Sequence, residues 1–510
     1  MTFQPLYKGG STSSNSLIIG DPEGSVGIVT LWSKAKEIAK KIDPKNYCVI
    51  GQLFSAERGL DFLARNLLAN PQITNLIVTG VDFSKSGIVL IDFFQNGFEK
   101  GKADTTEKDC WRVKSQYAGY IDLDIPEEVL NNLRETANII KAPNIETFDF
   151  STLQKPSKAR SKNIFLKKEE SIKQYVGEYT GHIVRGKTIA EAWLKILDTI
   201  LKFGRESGTH YDEKQKELVN LLSIISEEDP NNFYIPSFLP GDEQHIKEYI
   251  PRITRDLPGG IHKNEYTYGS RMRSWFGTDQ VKNAVAKLVR EPISRAVVIS
   301  LWDTVKDLTL GGSPCLNHIW FRVADNKLHM TAIFRSHDMF EGYPENAFGL
   351  RSLQEEIRQG IVSGLKEKGE EMDLKLGDLM ILSQSAHIYK DCWETSQITV
   401  QKYLTGKYTY HLAELDPRGN FIITVDFGLG DIVVEHTSQT NEKIGEYRAK
   451  SAAELRDILT KEKVISLIPH ALDLGMELMK AEIALKTGSH YNQDQPLDFN
   501  ELRNLLKENH

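Results

Sequence analysis

Three short apolar runs, 26–32, 47–50 and 75–81, alternate with two stretches of helical periodicity, 35–41 and 56–70. Apolar runs of roughly four to eight residues between turn formers read as strands buried on both faces. A strand followed by a helix and another strand needs a crossover connection, and crossovers build parallel sheets covered by helices. The chain is therefore expected to open with an α/β domain. Residues 9–16, Gly-Gly-Ser-Thr-Ser-Ser-Asn-Ser, are turn-rich and are expected to be a mobile lead into it.

At 510 residues the chain exceeds one ordinary domain, and about 150 residues per domain suggests about three. Residues 151–175, rich in Lys and Ser with little periodic burial, are expected to form a linker or loosely packed crossover. The expected domains are 1–175, 176–404 and 405–510. In the second, 190–203, 217–226 and 279–289 read as helices, the last closed by Pro292. Residues 296–301 and 319–333 read as strands joined through a turn that carries Cys315. In the third, Lys407-Tyr-Thr-Tyr-His411 precedes a turn, Asp416-Pro-Arg-Gly-Asn, that feeds a strand. A second strand at 431–436 makes a hairpin or meander, and 469–486 reads as a long helix, giving a C-terminal α+β segment. No internal repeat interrupts this multidomain α/β and α+β plan.

The 40% apolar and 26% charged content suits a water-soluble fold, and 63 basic against 70 acidic residues leave a net charge of −7. That balance lacks the concentrated basic face of a nucleic-acid binder. No apolar run approaches the roughly 20 residues that span a bilayer, and 1–30 has no secretory pattern, so a cytoplasmic location is expected. The four cysteines, Cys48, Cys110, Cys315 and Cys392, are too far apart for a zinc knuckle or redox pair, so no structural metal is expected. One that matters would act as a lone thiol.

Cys315 follows Pro314, and some 20 residues later comes Phe-Arg-Ser-His-Asp-Met-Phe-Glu-Gly-Tyr-Pro-Glu-Asn, 334–346. A thiol, a guanidinium, a carboxylate and an amide in this order suit chemistry on a pyrimidine nucleotide. A thiolate attacks and is favoured by nearby cationic charge, which Arg335 could supply. The same guanidinium can grip a phosphate bidentately. Taken alone, a cysteine is more often a small buried apolar residue.

The ordered series Arg290-Glu-Pro-Ile-Ser-Arg-Ala-Val-Val-Ile-Ser-Leu-Trp-Asp, Pro314-Cys315, Val323-Ala-Asp-Asn-Lys-Leu-His-Met, Arg335-Ser-His-Asp and Gly342-Tyr-Pro-Glu-Asn346 resembles thymidylate synthase. Ser385-Ala-His387-Ile-Tyr389 and Tyr266-Thr-Tyr268-Gly269-Ser-Arg-Met-Arg273 extend the likeness over roughly 188–402. The resemblance implies that family's mixed sheet with helices, flanked by the α/β domain and the C-terminal segment. It implies that Cys315 adds to C6 of dUMP and that a reduced pterin supplies a methylene group. It further implies that Arg335 and Ser336 hold phosphate, and that Asp338 and Gly342 line the pyrimidine and pterin side. Asn346 would read the uracil edge, because an amide both donates and accepts whereas a carboxylate suits cytosine. His387 and Tyr389, on one face of a strand, would bind the sugar hydroxyl. Tyr268 and Trp302 match aromatic positions of the family, although packing alone explains a buried tryptophan equally well.

Arg295 matches the position that reaches a partner's phosphate, so a homodimer is expected. Ala296 replaces the second arginine usual there, so the phosphate clamp is expected to be weaker or rebuilt from Arg271 or Arg273. The family's proton-shuttling glutamate is matched best by Glu217 in Glu-Leu-Val-Asn-Leu-Leu, resembling a family helix, and next by Glu248. In a chain this charged, a solvated helix face is the commoner place for a glutamate. Departures are Leu316 after the cysteine, His337 for a cysteine, Phe334 for a polar residue and Asn220 for a tryptophan near the pterin.

Residues around Gly20-Asp-Pro-Glu-Gly, Ser55-Ala-Glu-Arg-Gly-Leu and 70–80 resemble the corrinoid-binding α/β domain of tetrahydromethanopterin S-methyltransferase over roughly 15–130. Where that family carries a cobalt-ligating histidine, this chain has Asp82, Phe83 and Ser84 and no histidine within 81–87. Corrinoid ligation through that residue is not expected. The tail, through Leu415-Asp-Pro-Arg-Gly-Asn-Phe and Glu477-Leu-Met-Lys-Ala-Glu, resembles an uncharacterised domain found beside such regions.

The expected activity is reductive methylation of dUMP to dTMP with 5,10-methylene-tetrahydrofolate or a tetrahydromethanopterin analogue. The alternatives are a pyrimidine nucleotide hydroxymethylase and a non-catalytic nucleotide- or pterin-binding regulatory protein. In the family that the residues resemble, a free C-terminus closes over the cofactor, whereas here another domain follows, so closure is expected to be different or to be served by another segment.

Overall fold

The computed structural model describes residues 2–7, 17–104, 106–153, 160–167, 175–208, 214–258, 266–310, 312–404 and 416–498. The expectations for 9–16 and 407–411 lie outside the described residues. The chain forms two compact units, Met1–Leu404 and Thr405–His510.

The first unit opens with the expected α/β body. Strands β1 (Ile18–Ile19), β2 (Val26–Val29), β3 (Val49–Gly51) and β4 (Asn75–Val78) alternate with α1 (Ala35–Ala39) and α2 (Ala56–Ala69). After α3 (Ser86–Gln95), a small antiparallel sheet of β5 (Phe98–Lys102), β6 (Asp109–Val113) and β7 (Tyr120–Asp122) intervenes before α4 (Glu127–Thr136) and β8 (Asn138–Lys141). The main sheet runs β1-β3-β2-β4-β8, parallel from β3 to β8. All four residues of β2 and of β4 are buried, the mark of a strand covered by helices on both sides. Part of the expected linker is instead docked here. Arg160 donates to the carbonyls of Leu67 at 2.9 Å and Ile73 at 3.0 Å, and Phe165 packs on the core.

The second body is built on a mixed sheet ordered β10-β11-β16-β14-β13-β12, with β9 beside β11 and β15 beside β16. Its elements are β9 (Ile183–Gly186), α5 (Ile189–Phe203), β10 (Arg205–Gly208), β11 (Lys214–Ile225), α6 (Glu243–Thr254), α7 (Tyr268–Arg273) and α8 (Gln280–Arg290). They continue with β12 (Val298–Ser300), β13 (Leu316–Ala324), β14 (Lys327–Phe334), β15 (His337–Asp338), α9 (Gly342–Glu367), β16 (Lys375–Tyr389) and α10 (Trp393–Tyr403). Two expectations change. Residues 217–226 are not a helix; 217–225 belong to β11. Leu218, Leu221, Leu222 and Ile225 fit helical spacing, yet they sit in a strand paired with β16 on one side and β9 on the other. The span 319–333 is two strands, because Asp325 and Asn326, with φ of 49° and 56°, form a two-residue hairpin turn.

Trp193 of α5 is fully buried, and its indole N–H donates to the carbonyls of Met339 at 2.8 Å and Phe340 at 3.1 Å. It thereby pins the turn between β15 and α9. Among the described residues no helix is long and apolar enough to cross a membrane.

The second unit is an antiparallel meander of β17 (Asn420–Asp426), β18 (Asp431–Thr437) and β19 (Lys443–Ala449), packed by α11 (Ala452–Glu462) and α12 (Ile468–Thr487). The turn feeding β17, the strand pair and the long helix match the expected α+β plan. Burial alone would raise the Asp416 carboxyl, but bonds from Ser466, His470 and Arg418 hold it well below the usual range. That carboxylate also accepts from the Leu467 N–H at the start of α12.

The loop between β12 and β13 is anchored by one buried ion pair. The Arg271 guanidinium meets the Asp307 carboxylate at 2.8 and 3.0 Å, both side chains fully buried, and lies 4.2 Å from the Tyr266 ring and 3.7 Å from Trp275. Removing one partner of such a pair strands a buried charge. Arg271→Met is expected to destabilise the first unit by about 3–5 kcal/mol, read as a lower denaturation midpoint, and adding Asp307→Leu should recover much of the loss.

Candidate active site

Cys315 emerges from this anchored loop at the start of β13. Arg335, one residue beyond β14, braces the same turn: its Nε donates to the Pro314 carbonyl at 3.0 Å and a terminal nitrogen to Ser313 at 2.8 Å. The Arg335 amide also donates to the Cys315 carbonyl at 2.9 Å. Burial pushes the Cys315 thiol above its ordinary range, and the Arg335 charge opposes that rise. Ser336, the next residue, is half-buried. Leu316, one of the departures from the family pattern, is fully buried and pairs with Phe334.

Asn346, buried in the first helical turns of α9, is fixed at both ends of its amide. Its Nδ2 donates to His337 Nε2 at 3.2 Å, and its Oδ1 accepts from the Tyr249 hydroxyl at 2.7 Å. His337 is stacked on Phe334, centroids 3.9 Å apart and rings 8° from parallel, and its Nδ1 meets the Ser383 hydroxyl at 2.9 Å. Burial lowers its pKa to about 3, so the ring is neutral and accepts from Asn346. A primary amide has two N–H donors and two acceptor lone pairs. His337 and Tyr249 each use one, which leaves one donor and one acceptor side by side.

The turn between β15 and α9 carries Asp338 and Gly342. The Asp338 carboxylate accepts the Phe340 N–H at 2.9 Å, and burial raises its pKa against the opposing pull of His387. A Cβ on Gly342 would lie 3.7 Å from the Asn346 amide and 3.8 Å from Asp338, so the glycine keeps this side open. His387 and Tyr389 lie on β16, with Asp338 registered opposite His387. His387 is buried with its Nδ1 near the Ser385 carbonyl at 3.2 Å, while its Nε2 has no protein partner among the described residues. Tyr389 stands edge-on to it at 4.8 Å. Tyr268 meets Phe334 edge-on at 6.3 Å, and Gly269 packs so tightly on the Arg255 carbonyl that a Cβ would sit 1.8 Å from it.

Other expected residues fall elsewhere. Glu217 lies on β11, two strands away from β14, where its carboxylate accepts from Tyr179 at 2.7 Å and from Ser385. It stands behind His387, its partner in register, rather than beside Cys315. Glu248 is exposed and bonded by Gln244. Arg271 is committed to Asp307, and Arg273 to Glu356 at 2.7 Å and Asp279 at 3.6 Å, so neither rebuilds a phosphate clamp. Arg295 is exposed and lines a groove on the outer sheet face with Val298, Trp320, Arg322, Thr331 and Met380. Trp302 is half-buried at the start of the anchored loop.

The carboxylate that does stand beside Asn346 is Glu345. Its Oε2 meets His245 Nε2 at 3.1 Å. Burial raises the Glu345 pKa against the opposing His245, and the bond to Glu345 raises that of His245. The charges of both Glu345 and Cys315 bear on Tyr249 and Tyr268, so the four groups lie in one neighbourhood. His245, Tyr249 and Arg252 recur at i, i+4 and i+7 along α6, a single helix face; that spacing was the signal available in the sequence.

Alkylation of Cys315 needs its thiolate. Its rate is expected to climb through alkaline pH, and Arg335→Gln, which removes the cation opposing the raised pKa, should slow it by about tenfold at pH 8. Mass spectrometry of the Cys315 peptide after timed iodoacetamide labelling checks both statements.

A family profile described as Thymidylate synthase matches residues 254–441, and one described as PterinBD-DUF4346 matches 415–494. A protein of Methanosarcina barkeri, provisionally named a thymidylate synthase, is 33% identical over 220 residues, covering 42% of this chain and 92% of its own length. A Methanosarcina mazei protein of the same provisional name is 32% identical over 215 residues, with 42% and 92% covered. A third, from Methanocaldococcus jannaschii, is 28% identical over 190 residues, with 36% and 83% covered. With the anchored cysteine, its arginine and the paired amide in place, these likenesses show that the chain belongs to the thymidylate synthase family.

Proposed function

We propose that this chain converts dUMP to dTMP with a methylene-carrying reduced pterin. The observation that carries the reading is the Asn346 amide, left by His337 and Tyr249 with one donor and one acceptor beside the Cys315 turn. That pair matches the O4 and N3–H of uracil and mismatches the amino group of cytosine. Arg335 and Ser336 take the phosphate, and His387 Nε2 meets the sugar hydroxyl. Phosphate bound on Arg335 positions the nucleotide so that the Cys315 thiolate reaches C6, and the addition makes C5 nucleophilic.

Asp338 and the open side at Gly342 suit the pterin ring, and the match of 415–494 to a family with a pterin-binding name supports that cofactor class. When bound, the pterin supplies the one-carbon unit and the hydride that reduces it to methyl. Glu345, partnered by His245, holds the proton exchanged with the pyrimidine carbonyl, the role that the family likeness alone would give to Glu217 or Glu248. Burial raises its pKa, and the adjoining His245 gives it a partner for proton exchange. The C5 proton is lost to solvent, and elimination of the Cys315 thiolate then restores the C5–C6 double bond and frees the product.

The groove lined by Arg295, Val298 and Trp320 suits a homodimer formed through the outer sheet face. Val298 is 51% and Trp320 45% exposed there, large apolar surface at the β12 end of the sheet. Arg295 at its edge would then serve the second copy's phosphate.

Tritium release from 5-tritiated dUMP, with methylene-tetrahydrofolate or its methanopterin counterpart, is the direct assay. Release and a methylated product are expected with at least one carrier, and a hydroxymethylated product by mass would replace the reading with a hydroxymethylase. Cys315→Ala should abolish release, and Glu345→Gln should slow it about 100-fold or more; an unchanged rate in Glu345→Gln removes that assignment. Trp320→Asp should convert a dimer to a monomer in sedimentation, and a monomeric parent chain would overturn the dimer.

A further inference from the structure

In an open α/β sheet, ligands bind in the crevice beyond the carboxyl ends of the strands, where the strand order reverses. In the first body the chain steps from β2 to β3 on one side, and β4 lies on the other side of β2, so that point falls between β2 and β4. The loops leaving these two strands, 30–34 and 79–85, hold non-glycine residues in left-handed backbone, Leu31 at φ 50° and Lys85 at φ 59°. Such conformations cost roughly 1–3 kcal/mol each and concentrate at binding sites.

The same loops carry aromatic rings. Trp32 lies 5.0 Å from Phe54, which follows β3, and 6.1 Å from Phe83, all three half-buried. The Trp32 indole N–H donates to Ser84 at 2.9 Å and ties the two loops together.

This edge faces the active site. Arg58, in the first turn of α2, ion-pairs with Glu341 and lies 5.6 Å from the Phe340 ring, within the turn between Asp338 and Gly342. Arg252 of α6 lies 5.8 Å from the Phe83 ring and 5.4 Å from that of Tyr249, whose hydroxyl holds Asn346. A row thus runs from the first sheet through Arg252 to the amide.

We propose that the carboxyl edge of the first sheet binds the aryl ring and acidic tail of the reduced pterin, with Trp32, Phe54 and Phe83 as an aromatic shelf. This rests on the synthase reading of the neighbouring pocket. Arg252 stands between shelf and pocket, and Lys34 and Lys85, on the same loops, supply cations for the tail. Folate and methanopterin carriers share an aryl-substituted pterin and differ in tail, so both are used as probes.

The test is calorimetric titration of tetrahydrofolate, and separately tetrahydromethanopterin, into the full chain saturated with dUMP. Wild type should bind at least one, and Phe54→Leu and Phe83→Leu should each bind it about tenfold more weakly with dUMP affinity unchanged. Wild-type affinity in both variants overturns the shelf, as does failure of wild type to bind either pterin. An equal loss of dUMP affinity also overturns it, since the rings would then only support the fold. Tritium release separates the two readings: release with undiminished pterin affinity in the variants removes the shelf alone, and shelf-dependent binding without release removes the synthase reading alone.

Discussion

The site depends on the register of β16. This strand is parallel to β14 at Phe334 opposite Ser383, parallel to β15 at Asp338 opposite His387, and antiparallel to β11 at Glu217 opposite His387. Side chains alternate across a strand, so a slip of one residue would turn Ser383, Ser385 and His387 to the other face. Ser383 would leave His337, and Asn346 would lose the ring that orients its amide. Pairing with β14 and β15 along one edge and with β11 along the other makes such a slip expensive, and that is how a sheet fixes a polar site it does not itself enclose.

The first α/β body is more than an attachment. Arg58 and Arg252 connect its carboxyl edge to the Asp338–Gly342 turn and to the helix that holds Asn346, while Lys108 pairs with Glu394 of α10 at 2.7 Å. The side of the pocket nearest Gly342 is where the first body makes its contacts.

Much of this was legible in the sequence. Strong apolar runs gave β2, β3 and β4, and the turn Asp416-Pro-Arg-Gly-Asn announced β17, because such signals are local. The strand β11 was misread because Leu218, Leu221, Leu222 and Ile225 satisfy a helical period equally well, and only its two partners, far away in sequence, decide. Glu217 went with it, since a residue placed on a helix by likeness has no reason to face the same way on a strand. Glu345 and Tyr249 were present in segments already singled out, yet their importance rests on α6 packing against α9, a contact no local pattern encodes.

Three of the departures from the family pattern, Phe334, His337 and Leu316, form one physical unit. Phe334 in place of a polar residue supplies the flat surface on which His337 stacks, and Leu316, fully buried opposite Phe334, completes the apolar floor. That floor lowers the His337 pKa to about 3, so the ring is neutral at neutral pH. With Nδ1–H donating to Ser383, a neutral ring presents a lone pair at Nε2, and the Asn346 amide places nitrogen there and oxygen toward Tyr249. A protonated ring would donate at both nitrogens and flip the amide, exchanging the donor and acceptor it offers. Substitutions that weaken the likeness to the family when taken one at a time together hold its amide in one orientation.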